Sequence, residues 1–190
     1  MTQHTKMLLF ASLLAGCAQH PPNDSAASGH ASMDQAAHMK AMADSKRQAE
    51  VSARGGDVMP FSLSATVHVF AKTPEGGMQQ VLARNADDTA QVALVRQHLR
   101  EIREQFLKGD FSGPSHIHGH DMPGLAELKA AKPGQIDIVY SDVVGGAELG
   151  YRTTAAPLVT ALHRWFDSQL ADHGKDAMDG HSNHSGAMRH

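Results

Sequence analysis

An alternating segment early in the chain constrains the fold most strongly. Over residues 61–71 apolar side chains occupy every odd position, from Phe61 to Ala71. Successive side chains of a β-strand point to opposite faces, so this period of two predicts a strand. The motif Pro74-Glu75-Gly76-Gly77 predicts a turn, and residues 78–84 predict the return strand of a hairpin.

Helical periodicity follows this hairpin. Residues 89–108 predict a helix, because their apolar side chains recur at spacings of three and four and share one face. These side chains are Val92, Val95, Leu99, Ile102 and Phe106. Further along, the pattern predicts a short helix at 123–131, a hairpin of 136–140 with 148–153 across Gly145-Gly146, and a helix at 156–171.

The two hairpins resemble each other in sequence. The segment starting at Val67 matches the segment starting at Ile136, and Gly76-Gly77 matches Gly145-Gly146, both at a shift of 69 residues. Internal duplication is one explanation. We expect an α+β fold of order ββα(α)ββα, with an antiparallel sheet of about four strands and two long helices on one face.

The first residues predict export and lipid attachment. Lys6 precedes a short apolar run, 7–14, which is too short to span a bilayer and is typical of a signal peptide. The run ends in Leu14-Ala15-Gly16-Cys17, which resembles a bacterial lipobox. The resemblance implies a signal peptide at 1–16, lipidation of Cys17 and, since Ala18 is not aspartate, an outer-membrane location facing the periplasm. An ordinary signal peptide followed by an incidental thiol is the alternative.

Composition divides the remaining chain into three parts. Residues 17–56 are rich in Ala, Ser, Gln and His, which predicts a lipid-anchored flexible tether, with partial helix at 32–54. Residues 57–173 predict one globular α+β domain. Residues 174–190 predict a disordered tail rich in His and Met.

Histidine and methionine are unusually frequent, with 14 and 10 copies among 190 residues. Both are metal ligands, and the methionine thioether suits Cu(I). A net charge of −3 offers no basic excess to neutralise phosphates, so we expect no nucleic-acid partner. The single cysteine excludes an internal disulfide framework.

The clearest candidate site is the histidine run His116-Ile117-His118-Gly119-His120, followed by Asp121 and Met122. We expect a loop over 109–120, in which alternate side chains of an extended backbone reach one ion together. Met122 would bias such a site towards copper or silver. His98 is the preferred further ligand, and His68 is the next. The alternative is a surface loop whose histidines cap helices or turns.

These features predict an envelope-anchored metal-binding lipoprotein that serves resistance, storage or hand-off to a metal-receiving envelope protein. Copper is the expected ion, with silver and zinc as alternatives. In architecture and composition the chain resembles the small His/Met-rich periplasmic proteins of bacterial copper and silver resistance.

Two other functions stay open. One is a metal-dependent hydrolase with an open mononuclear site, in which Asp121 or Glu127 acts as the base. The other is a non-catalytic interaction module that forms a homodimer through an open sheet face around His68 and Phe70. The sequence contains no phosphate-binding loop or dinucleotide fingerprint, and this favours a protein that is not an enzyme.

Overall fold

The computed structural model describes residues 25–180, which leaves the predicted signal peptide, Cys17 and residues 181–190 outside the described part. Within the described residues the chain divides into two units, 25–38 and 39–180. Helix α1, Ser25–Val58, begins in the first unit and ends in the second. Among the described residues, no helix has the length and apolar character needed to cross a membrane.

The second unit has an α+β fold, which confirms the predicted class. After α1 come strands β1, Thr66–Thr73, and β2, Gly76–Ala83, and helices α2, Thr89–Leu107, α3, Ser112–His118, and α4, Leu125–Ala130. Strands β3, Asp137–Val143, and β4, Gly146–Arg152, helix α5, Ala156–His173, and strand β5, Ala177–Asp179, complete it. Short 3-10 helices at Leu63–Ala65 and Gly174–Asp176 precede β1 and β5.

The sheet has the strand order β3-β4-β2-β1-β5. The predicted number of four strands and the predicted element order are therefore wrong. Both predicted hairpins form antiparallel pairs, and β2 also pairs antiparallel with β4. The additional strand, β5, pairs parallel with β1, and His68 lies opposite Ala177. Three residues are too few to show an alternating pattern, so the sequence could not reveal β5.

The core lies between the sheet and helices α2 and α5. Its buried side chains include Val81 and Leu149 from the strands, Leu99 from α2, and Trp165 and Phe166 from α5. Burying side chains of this size supplies about 1.5–3 kcal/mol each relative to exposure. The sheet and these two helices therefore fix the positions of the side chains that project from them.

Glycine permits a close approach between the α3–α4 connection and α5. Gly124 has a φ of +84°, and a Cβ there would lie 2.1 Å from the carbonyl oxygen of Ala161. No other residue fits both constraints without moving α5. This contact holds the start of helix α4 against α5.

Two segments expected to lack fixed structure are ordered where the structure describes them. The predicted tether is helical from Ser25, and Val51 of α1 is only 1% exposed. The predicted tail contributes a 3-10 helix and β5. Helix α1 also carries polar contacts, from Arg47 and Arg54, which apolar periodicity does not indicate.

Candidate functional site

Four histidines from four different elements line one cavity of about 140 Å³. They are His68 of β1, His98 of α2, His118 at the end of α3 and His173 at the end of α5. His68 and His118 are 4% exposed, His98 is 9% exposed, and His173 is half-buried. A cluster of this kind, with so little contact with water, is the most distinctive chemical feature of the described residues.

The remaining wall combines apolar and amide side chains. Met59, Trp165 and the amides of Gln79 and Gln169 face the same cavity. The indole Nε1 of Trp165 is buried without a hydrogen-bond partner among residues 25–180. The wall therefore carries one buried polar group, the Trp165 indole N–H, whose bonding capacity is not used within the described chain.

Strand β1 directs His68 inwards together with Phe70. The Phe70 ring contacts Phe166 of α5 at a centroid distance of 5.2 Å, and Phe70 is buried. The sequence placed His68 and Phe70 on an open sheet face available for dimerisation. That placement is wrong, because helix α5 covers this face of β1.

His118 is held by a carboxylate on α5. Its Nδ1 lies 2.8 Å from Oδ2 of Asp172. The Nε and Nη2 of Arg47 on α1 donate to the two oxygens of the same carboxylate, at 2.9 and 2.7 Å. Arg47 Nη2 also donates to the carbonyl oxygen of His118, at 2.6 Å. Helices α1, α3 and α5 are thereby tied together beside the cavity.

These contacts determine the charge of Asp172. Burial alone would raise the pKa of this carboxyl, but the hydrogen bonds from His118 and Arg47 lower it to about 2. An ionised carboxylate only accepts hydrogen bonds, so the Nδ1 of His118 must carry the proton that it donates. In the neutral ring the lone pair is then on Nε2.

The other rings contact one another closely. The His68 and His173 rings are stacked with centroids 4.7 Å apart, and the His173 ring meets that of His118 edge to face at 5.0 Å. The Nε2 of His173 lies 3.2 Å from Oε1 of Gln169. The His98 ring contacts Phe61 at 5.5 Å and makes no hydrogen bond within the described residues.

Burial keeps these rings neutral. It lowers the pKa of His68 to about 4, an effect that the neighbouring His98 and His118 increase and that Asp176 opposes. Burial also lowers the pKa of His98. Burial, and to a smaller extent the neighbouring His68 and His118, holds the pKa of His173 well below its ordinary value. A neutral imidazole retains a lone pair, which is the form that binds a metal ion.

The predicted extended loop is instead partly helical. Because α3 spans Ser112–His118, side chains two residues apart point to different sides, about 200° around the helix axis. His118 faces inwards, whereas His116 is exposed with its Nε2 3.3 Å from Asp57 Oδ2. His116 and His118 therefore do not share a face.

Of the other predicted metal ligands, two line the cavity with His118 and two lie elsewhere. His98 and His68 join His118 at the cavity, as the sequence proposed for partners of that histidine. His120 is exposed, and Met122 is buried in the hydrophobic core. Neither lines the four-histidine cavity.

The predicted catalytic bases also lie away from the cavity. Asp121 is exposed, and Glu127 pairs with Arg164 on the surface at 3.2 Å. Neither side chain lines the cavity that holds the histidines. Cys17, the predicted lipidation site, lies outside the described residues.

Sequence reasoning missed His173, Asp172 and Arg47. The buried face of α5 contains Leu162, Phe166 and Gln169, and His173 continues it by a step of four. This spacing was the available signal for His173. The contacts of Asp172 and Arg47 join residues 125 positions apart, and no local pattern marks them.

Within residues 25–180, no three or more His, Cys, Asp or Glu side chains are arranged to hold a metal ion as they stand. No protein-family model, curated protein or solved structure matches this chain.

Proposed function

We propose that this protein is an envelope lipoprotein that binds a transition-metal ion, copper in the first place, in the cavity lined by His68, His98, His118 and His173. The convergence of these four histidines on one cavity supports the proposal most strongly. Burial favours the neutral forms of His68, His98 and His173, and each neutral ring offers one lone pair to a metal ion.

The donor set favours a soft or borderline cation. Imidazole nitrogen suits copper, zinc and nickel, and the thioether of Met59 in the same wall adds a preference for Cu(I) or Ag(I). The buried position of the rings favours retention of the ion over rapid exchange with solvent. Storage or hand-off of the ion follows from this combination more directly than catalysis does.

Metal binding requires some rings to turn, because no three potential ligands are arranged for it among the described residues. His98 is the ring best able to do so, since it makes no hydrogen bond there, and a histidine χ2 torsion is broad. His118 is the fixed member, because Asp172 holds its Nδ1. We therefore expect His118 to define the position of the ion and His98 to adjust to it.

Metal titration of the full chain tests this function. Cu(I) with a competing chelator, and separately Zn(II), are titrated into the wild type and into a double variant, His98→Phe with His173→Phe. Phenylalanine keeps a ring of similar size but has no lone pair. We expect the tightest site to weaken more than about 100-fold, a larger loss than removing an indirect contact causes.

The matched control is the double variant His116→Ala with His120→Ala, which removes two exposed histidines of the same sequence run. We expect this variant to retain the tightest site. Since all variants keep the same terminal histidines, any weak binding there contributes equally. Loss of the tightest site in the control, with retention in the cavity variant, would refute the proposal.

The lipid anchor is part of the proposal and rests on Leu14-Ala15-Gly16-Cys17. Cell fractionation of the wild type and Cys17→Ala tests it. We expect the variant to leave the membrane fraction, and its continued presence there would exclude lipidation as the anchor.

A further inference from the structure

Asp172 stands between a histidine on one side and an arginine on the other. It accepts a hydrogen bond from His118 Nδ1 at 2.8 Å and two from Arg47, at 2.9 and 2.7 Å. The Asp172 side chain is 14% exposed and that of His118 is 2% exposed. Little water can therefore reach the His118 ring or the carboxylate, whereas the Arg47 side chain is 38% exposed.

This geometry distinguishes the two nitrogens of the His118 ring. The carboxylate accepts only, so Nδ1 carries a proton, and in the neutral ring Nε2 is the nitrogen with the lone pair. In metal sites a histidine ligand usually donates its other ring N–H to a carboxylate or carbonyl, which fixes the ring orientation and raises ligand basicity. Asp172 has this relation to His118.

Arg47 constrains the pair from α1. Besides the carboxylate, it binds the carbonyl oxygen of His118 at 2.6 Å, so one guanidinium holds both the backbone of His118 and the group that orients its ring. Arg54, two turns further along α1, donates only to the carbonyl of Ile117, at 2.8 Å. Arg54 thus makes a similar bond to α3 without contacting Asp172.

We propose that Arg47 and Asp172 are positioning residues that select Nε2 of His118 as the metal-binding nitrogen, which makes helix α1 a structural part of the metal site. The inference rests on the proposed metal-binding function and deepens it. It assigns a role to a segment whose composition suggested only a tether. Removal of either positioning residue should weaken metal binding about 10- to 100-fold.

The test combines two readouts on the full chain. Nitrogen-15 NMR of the histidine rings in the metal-free protein reports which nitrogen of His118 carries the proton. Titration with Cu(I) alone, against a competing chelator, then reports affinity. The variants are Asp172→Ala, Asp172→Asn and Arg47→Ala, with Arg54→Ala as the matched control.

We expect the wild type and Arg54→Ala to show the Nδ1-protonated form and equal affinity. Asp172→Ala should show mixed protonation and a 10- to 100-fold loss of affinity. Asp172→Asn can still accept from Nδ1 through its amide oxygen, so it should recover the wild-type form and part of the affinity. Arg47→Ala should lie between the wild type and Asp172→Ala in both readouts.

Two results would overturn the inference. One is an Nε2-protonated His118 in the wild type. The other is an Asp172→Ala variant with mixed protonation and unchanged affinity, because His118 orientation would then not matter for binding. Failure of the proposed function gives a different pattern: the protonation pattern of the wild type is as expected, but no variant, nor the wild type, binds Cu(I) tightly.

Discussion

His116 and His118 lie two residues apart on the same helix and have opposite surroundings. The His116 side chain is 52% exposed and faces Asp57, whereas the His118 side chain is 2% exposed and faces Asp172. The sequence treats them as equivalent members of one run. The difference teaches that helical geometry, and not proximity in sequence, decides which histidines gather around one cavity.

The two aspartates that pair with these histidines differ in the same way. Asp57 is 68% exposed and has no strong constraint on its position, so its pair with His116 falls among surface ion pairs worth about 0–1 kcal/mol. Asp172 is bound by both His118 and Arg47. Loss of Asp172 would leave the Nδ1 of His118, whose side chain is 2% exposed, without its acceptor, which is the costly case.

The largest expected effect is acid destabilisation through the cavity. Burial lowers the pKa of His68 to about 4, and an unfolded histidine titrates near about 6.5. Because the unfolded chain binds this proton more readily, the free energy of unfolding falls as the pH decreases from about 6.5 to about 4. The loss from His68 alone approaches about 3 kcal/mol.

Four side chains surround His68. His98 of α2, His118 of α3, His173 of α5 and Asp176 beside β5 face His68. Urea unfolding between pH 7 and pH 4 should show a clearly shallower pH dependence for His68→Gln than for the wild type. His116→Gln, at an exposed position, should keep the wild-type slope. Equal slopes in all three proteins would contradict the role assigned to burial.

A second, smaller effect concerns the orienting carboxylate. Asp172→Ala leaves the buried Nδ1 of His118 without its acceptor and removes the two bonds from Arg47 to the carboxylate, so we expect a loss of about 2 kcal/mol in the free energy of unfolding at pH 7. Glu127→Ala breaks an exposed pair with Arg164 and should cost less than about 0.5 kcal/mol. Denaturant unfolding measures both, and a similar cost for the two variants would remove the distinction between cavity and surface.

The smallest effect is expected at His116. A double-mutant cycle with His116→Ala and Asp57→Ala at pH 6 should give a coupling free energy below about 0.5 kcal/mol, since both side chains are solvated. Coupling above about 1 kcal/mol would mean that the exposed pair is structurally important. The contribution of His116 to stability would then be closer to that of His118 than its exposure implies.

The sheet with its two long helices, and half of the site residues, could be predicted from the sequence. Both hairpins and helices α2 and α5 were predictable because their periodicity runs over many residues. Helix α3 was not, since seven residues containing Gly113 and Pro114 are typical of a loop. With α3 extended in the prediction, His116 and His118 were assigned to one face.

The rest of the site depends on long-range contacts. His68 and His98 could be proposed because they lie on predicted core elements. Arg47 and Asp172 could not, because their pairing joins a polar helix to the end of α5. His173 lies at the boundary where the predicted domain ended, although the spacing from Gln169 extends the buried face to it.

We propose that the cavity, and not the exposed pair His116 and His120, holds the metal ion. The most direct measurement is nitrogen-15 NMR of all histidine rings in the full chain as one equivalent of Cu(I) is added without oxygen. We expect the resonances of His68, His98, His118 and His173 to shift together while those of His116 and His120 stay unchanged. Shifts at His116 and His120 with an unchanged cavity would contradict it.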